Sequence, residues 1–221
     1  MNEPKPNSAV ILAGGLGKRL RTVLSDRPKV LAPVAGRRFV SYLLDHLADA
    51  GFRDVVLCTG YLGAQVREVF GSRFRRLELR YSEESEHRGT GGALRDALPL
   101  LRGDSMLVLN GDSYCQTDLA AFLRWHQDER SQASLVLAQV PDVSRFGSVE
   151  FDGDHRIRRF VEKSKSGSSP GEQIHWVYSE CRLRSQKEIL ARFLRLSRLG
   201  GSNARISSTA KVAEALSRVL P

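Results

Sequence analysis

Apolar runs of four to six residues, each bounded by turn-forming residues, recur at 9–13, 55–58, 77–81, 106–109 and 135–140, and each predicts a β-strand. Between them lie stretches with a helical period. Residues 39–50 place Val40, Leu43, Leu44 and Leu47 on one face, and 62–70, 92–98 and 119–128 have similar character. The order is β-α-β-α-β-α-β-α-β. Such alternation predicts an α/β fold, a mixed and mostly parallel sheet with helices on both faces, in which ligands bind beyond the carboxyl ends of the strands. Residues placed just after strands are therefore the first to examine for chemistry. No internal repeat is visible, and 164–171 (SKSGSSPG) has the composition of a flexible loop.

A length of 221 residues, 41% hydrophobic and 27% charged, predicts one globular domain spanning 1–221. No apolar run approaches the roughly 18 residues of a membrane span. The start is polar through Ser8 and then apolar for only five residues, short of a signal-peptide core, so a cytoplasmic location is expected. Cys58, Cys115 and Cys181 are isolated, which predicts ordinary thiols and neither disulfides nor a zinc site. The net charge of +9 arises entirely after residue 154: residues 1–154 carry 20 basic and 20 acidic side chains, and 155–221 carry 14 and 5. That tail has no nucleic-acid-binding motif, so nucleic acid is not the expected partner.

The first strand runs into Gly14-Gly15-Leu16-Gly17-Lys18-Arg19-Leu20, where small residues let backbone N–H groups approach phosphate oxygens and basic side chains neutralise them. The loop is not a dinucleotide fingerprint, because Leu20 stands where the third glycine is needed. Nor is it a Walker A loop, since Arg19 and Leu12 occupy the Ser/Thr and first-glycine positions. The run from Leu12 and Ala13 through Leu20, followed by Pro28-Lys29, resembles the signature of the sugar-1-phosphate nucleotidyltransferases. Residues 20–34 (LRTVLSDRPKVLAPV) are most similar to the heptose 1-phosphate guanylyltransferase branch. Lys18 stands where that family usually has Thr, and Val30 where many members have a second Pro.

The resemblance implies a Rossmann-like fold of the nucleotide-diphospho-sugar transferase type. It further implies that Leu12, Ala13, Gly14, Gly15 and Gly17 wrap a triphosphate, with Arg19 and Lys29 as catalytic cations. Bringing two polyanions together makes positive charge the main requirement of such a transfer. Lys18 either adds to that charge or is solvated.

Residues 81–94 (YSEESEHRGTGGAL) follow a strand and open a helix, and they resemble the family's base-reading loop. Glu84 or Glu86 can accept from the ring donors of a purine such as guanine, with Gly89 and Thr90 approaching the nucleotide. His87-Arg88 replaces the family's usual Pro-Leu. Asn110-Gly111-Asp112 puts an aspartate directly after an apolar strand, and the resemblance makes Asp112 the ligand of Mg²⁺. An Asx turn is the structural alternative. Arg145-Phe146-Gly147-Ser148-Val149 resembles the family's sugar-binding strand, and Phe160-Val161-Glu162-Lys163 its Glu-Lys pair. Gly147 and Glu162 are then expected at the sugar, and Lys163 at its phosphate.

The expected partners are thus GTP and a sugar 1-phosphate, with no membrane. The resemblance fades after about residue 163. Ile174-His175-Trp176-Val177-Tyr178 stands where an Asn-Ala-Gly turn is expected, and no aspartate follows Asp154 to supply the family's second metal ligand. Glu172, Glu180 and Glu214 are candidate replacements. Residues 186–199 place Ile189, Leu190, Phe193, Leu194 and Leu196 at near-helical spacing, which suits core first and a homodimer face second. A nucleotide-sugar sensor without turnover is the alternative function.

Overall fold

A computed structural model describes residues 8–14, 26–84, 86, 88–103, 105–131, 133–139, 148–161, 174–182 and 204–208. The chain divides into two compact units, Met1–Tyr114 with Leu183–Gln186 and Cys115–Arg182 with Lys187–Pro221.

The first unit contains β1 (Ser8–Leu12), a 3₁₀ turn (Lys29–Leu31), β2 (Pro33–Val34), β3 (Arg37–Arg38), α1 (Phe39–Asp49), β4 (Asp54–Thr59) and α2 (Gly63–Phe70). It continues with β5 (Arg73–Phe74), β6 (Leu77–Glu83), α3 (Gly89–Ala97), a second 3₁₀ turn (Leu98–Leu100) and β7 (Ser105–Asn110). The sheet order is β7-β1-β4-β6-β5, parallel except for β5, which runs antiparallel along the start of β6.

Every residue of β4 is buried, the pattern of a central parallel strand covered on both faces. By contrast β6 alternates buried Leu77, Leu79 and Ser82 with exposed Glu78 and Glu83, as befits a strand near the sheet edge. The four apolar positions expected on α1, Val40, Leu43, Leu44 and Leu47, are all fully buried. Each contributes about 1.5–3 kcal/mol relative to an exposed side chain. At the amino ends of the strands Asp54 forms a buried ion pair with Arg80. Its Oδ2 lies 2.5 Å from the Ser8 hydroxyl, which also accepts the Arg102 N–H at 2.7 Å.

The second unit contains α4 (Leu119–Asp128), β8 (Ala133–Gln139), β9 (Ser148–Phe151), β10 (Ile157–Val161), β11 (Ile174–Arg182) and β12 (Ala204–Ser208). Asp118 caps α4 by accepting the Ala121 N–H at 2.8 Å. Strand β8 pairs antiparallel with β11 and parallel with β12, and β9 pairs antiparallel with β10.

The architecture is the mixed, mostly parallel α/β sheet expected from the sequence. The departures are local. The two-residue strands β2, β3 and β5 are too short to carry a periodic signal, and the helix expected at 92–98 already begins at Gly89, because glycines stand where its first turn forms. Residues 174–182, where the family pattern has a turn, form a nine-residue strand. Among the described residues no helix is long and apolar enough to cross a membrane. Cys58 and Cys115 are buried thiols.

Candidate active site

Sheet register brings four separated segments to one level. Leu12 lies opposite Cys58 and Asn110, and Cys58 opposite Ser82. Ladder hydrogen bonds continue past the strand ends, from Ala13 N–H to Cys58 O (2.8 Å), Gly111 N–H to Leu12 O (2.9 Å) and Glu84 N–H to Thr59 O (2.9 Å). One further step along each strand aligns Gly14, Gly60, Glu84 and Asp112 in a row beyond the carboxyl ends of β1, β4, β6 and β7, where an α/β sheet binds ligands.

The row is tightly built. A Cβ placed on Gly14 would stand 3.1 Å from Glu84 Oε2 and 3.5 Å from Gly60 N. On Gly111 it would stand 2.6 Å from Leu12 O and 3.0 Å from Val30 Cγ1. The approach of Gly111 to main-chain oxygen requires glycine, whereas at Gly14 the end of the Glu84 side chain would have to give by a few tenths of an ångström. The other oxygen of the same carboxylate, Glu84 Oε1, is buried and has no hydrogen-bond partner among the described residues. Leaving a buried carboxylate oxygen unsatisfied is costly, so Glu84 Oε1 calls for a hydrogen-bond donor. Glu86, its sequence-level rival, is exposed.

Across the row Lys29 Nζ lies 2.8 Å from Asp112 Oδ2. Lys29 opens a 3₁₀ turn fixed by Leu31 N–H to Pro28 O (2.9 Å) and Ala32 N–H to Lys29 O (3.0 Å), with Val30 and Leu31 buried. Val30, in the place of the family's second proline, packs against Gly111 and so sets Lys29 beside Asp112. The Ser113 hydroxyl lies 3.2 Å from Asp112 Oδ1. Partial burial works to raise the Asp112 carboxyl. The hydrogen bond and charge of Lys29, with help from Ser113, outweigh it and hold the group below its ordinary value.

Of the residues singled out in the sequence, Leu12, Ala13, Gly14, Lys29, Glu84 and Asp112 meet at this end of the sheet. Gly89 and Thr90 form the first turn of α3, five to six residues beyond Glu84. Gly15, Gly17, Lys18, Arg19, Gly147, Glu162 and Lys163 lie outside the described residues, as do Glu172, Glu214 and the side chain of Glu180. The register of β9 on β10 sets Ser148 opposite Val161. Gly60 was not anticipated. It lies in no motif, and the register of β1 on β4 is what brings it level with Gly14. Gln65 is a second omission, its Nε2 donating to Asp26 O at 3.0 Å and so tying the segment before Lys29 to α2.

Residues 8–173 match the family model described as nucleotidyl transferase. The chain belongs to the nucleotidyl transferase family. It is 36% identical over 155 residues to the D-glycero-alpha-D-manno-heptose 1-phosphate guanylyltransferase of Aneurinibacillus thermoaerophilus, covering 70% of this chain and 67% of that protein. It is 37% identical over 168 residues to the mannose-1-phosphate guanylyltransferase of Mycobacterium tuberculosis, covering 76% of this chain and only 46% of that protein. HddC from Yersinia pseudotuberculosis, solved in complex with GMP-PN, superposes with a TM-score of 0.75 at 25% identity, over 96% of this chain and 97% of that one. The relatives of this nucleotidyl transferase thus include guanylyltransferases acting on two different sugar 1-phosphates.

Of the two carboxylates in the row, Asp112 is the one beside Lys29 and the more open to solvent, so it is the one available to a divalent cation. Among the described residues no group of three or more His, Cys, Asp or Glu side chains comes together. A half-exposed aspartate just beyond a strand end fits Mg²⁺, which commonly takes one or two protein carboxylates and completes its shell with substrate phosphates and water.

Proposed function

We propose that this protein transfers GMP from GTP to a sugar 1-phosphate, giving a GDP-sugar and pyrophosphate, with heptose 1-phosphate as the preferred acceptor and mannose 1-phosphate next. The observation that carries the reading is the buried Glu84 Oε1, without a hydrogen-bond partner among the described residues, in the row with Gly14 and Asp112. Guanine presents two adjacent donors, N1–H and N2–H, to a carboxylate. Adenine and cytosine set an acceptor beside their amino group, and uracil and thymine flank a single N–H with carbonyls. The 36% identity to a heptose 1-phosphate guanylyltransferase favours the same base and suggests the sugar.

In this reading Gly14 and the loop after it hold the triphosphate. Lys29 moves from Asp112 to the phosphates, and Arg19 adds charge where it develops. A sugar-phosphate oxygen, already ionised at neutral pH, attacks the α-phosphorus in line. The new P–O bond forms as the bond to the β-phosphate bridging oxygen breaks, and the electron pair leaves with pyrophosphate. No proton need be removed, so no general base is required. Mg²⁺, held by Asp112 and phosphate oxygens, would offset the negative charge of the leaving group. Glu162 and Lys163 serve the sugar and its phosphate. Residues 1–221 act as one cytoplasmic domain, and the product feeds surface-polysaccharide synthesis.

The test is pyrophosphate release with Mg²⁺, pairing GTP, ATP, CTP, UTP and dTTP with heptose, mannose and glucose 1-phosphates. Release with GTP and heptose 1-phosphate, lost in Arg19→Ala and Asp112→Ala, is the expected result. Faster release with another nucleotide would overturn the base assignment, and no release with any pair would overturn the activity.

A further inference from the structure

The carboxylate assigned to the metal already carries a cation. Lys29 Nζ stands 2.8 Å from Asp112 Oδ2, and Asp112 Oδ1 faces the Ser113 hydroxyl at 3.2 Å, so both oxygens are engaged. A Mg²⁺ ion sits about 2.0–2.1 Å from a carboxylate oxygen, closer than the ammonium nitrogen stands now. A metal ion on either oxygen of Asp112 would stand close enough to the ammonium for their repulsion to be strong. Metal binding is therefore disfavoured while Lys29 holds Asp112.

We propose that Lys29 is a placeholder for the divalent cation, keeping free metal off Asp112 until a nucleoside triphosphate draws the ammonium away, so that the metal arrives with the nucleotide. The proposal rests on Asp112 as the metal ligand. The geometry suits an exchange of this kind. The Lys29 backbone is fixed by buried Val30 and Leu31, while the side chain is 39% exposed and ends on a flexible four-carbon stem. A triphosphate offers the ammonium several formal negative charges in place of one, so the lysine exchanges one anionic partner for a stronger one. The carboxylate is freed at the moment phosphate oxygens become available to complete the shell of the metal. The same contact neutralises Asp112, which as an isolated carboxylate beside the strand ends would repel an incoming triphosphate.

The experiment measures binding of Mn²⁺ alone to the full-length protein without nucleotide, following free Mn²⁺ by electron paramagnetic resonance. Wild type is expected to bind weakly. Lys29→Met and Lys29→Gln should each bind roughly tenfold tighter, the effect of removing one neighbouring positive charge, and adding Asp112→Asn to either should abolish the gain. Unchanged or weaker Mn²⁺ binding in both lysine variants would overturn the proposal, even where Asp112→Asn still lowers binding and the metal assignment survives. If Asp112→Asn fails to abolish the gain, Asp112 is not the ligand, and the placeholder and the metal assignment fall together. Base and sugar specificity are read separately, by pyrophosphate release.

Discussion

A Cβ placed on Gly60 would stand 3.0 Å from the carbonyl oxygen of Gly14, so the backbones beyond β4 and β1 pass each other with no room for a side chain. The obstacle is main chain on both sides and cannot swing away. Gly60→Ala is therefore expected to displace Gly14 and the loop that follows it. A destabilisation of about 1–3 kcal/mol, the usual cost of overpacking, should accompany a rise in KM for the nucleotide. Denaturant unfolding and steady-state kinetics check both, and an unchanged KM would detach Gly60 from the site. Gly111→Ala, facing Leu12 O at 2.6 Å, should be worse.

Gly60 also marks where the sequence could and could not be read. The buried strands β1, β4 and β7 and the apolar face of α1 were legible, because continuous apolar runs and a 3.6-residue period leave few alternatives. So were Gly14, Lys29, Glu84 and Asp112, each within a motif just after a strand or beside one. Gly60 lacked a motif and needed the register of β1 on β4 to bring it level with Gly14. The Lys29–Asp112 contact joins residues 83 positions apart, and no local pattern encodes it. The burial of one Glu84 carboxylate oxygen, which sets it apart from exposed Glu86, is invisible in the run Glu83-Glu84-Ser85-Glu86. The two-residue strands are fixed by their partners and not by their own composition.

At the opposite end of the same strands the chemistry is structural. Asp54 is 4% exposed and relies on Arg80 and Ser8 for its partners. Asp54→Ala leaves Arg80 in a largely buried position without its counter-charge, and breaking a buried pair costs about 3–5 kcal/mol. The kinetic constants of the remaining folded enzyme should change little. At about 3.3 Å per residue, Asp54 lies roughly 20 Å along β4 from Gly60. Equal losses of stability and of kcat/KM at a temperature where the variant is folded would contradict this division.

Base selection should reside in Glu84. Glu84→Gln keeps the shape and replaces one acceptor with a donor aimed at the donors of guanine. A charged hydrogen bond of about 1.5–3 kcal/mol is at stake, so kcat/KM for GTP is expected to fall by a factor of roughly 10 to 150. Values for the other nucleotides should hold or rise. Exposed Glu86, changed to Gln, should behave as wild type. A Glu84→Gln enzyme with GTP kinetics within twofold of wild type would move base reading elsewhere.

The thiols give a prediction in pH. Burial pushes Cys58 up to about 12, with the nearby Glu84 and Asp96 charges adding to it, and burial alone pushes Cys115 up to about 11, from an ordinary value of 9.0. In the unfolded chain both ionise near 9. The folded state, which resists ionisation, is fully favoured below that pH and loses its advantage as pH climbs from 9 toward 11 and 12. Iodoacetamide at pH 8 should leave both cysteines unmodified in the native protein and label them in urea, as read by peptide mass spectrometry. Denaturant stability should decline above pH 9, and less steeply in Cys58→Ala. Rapid labelling of Cys58 in the native protein at pH 8 would mean that the end of β4 opens to solvent, and the close contact of Gly60 with Gly14 would open with it.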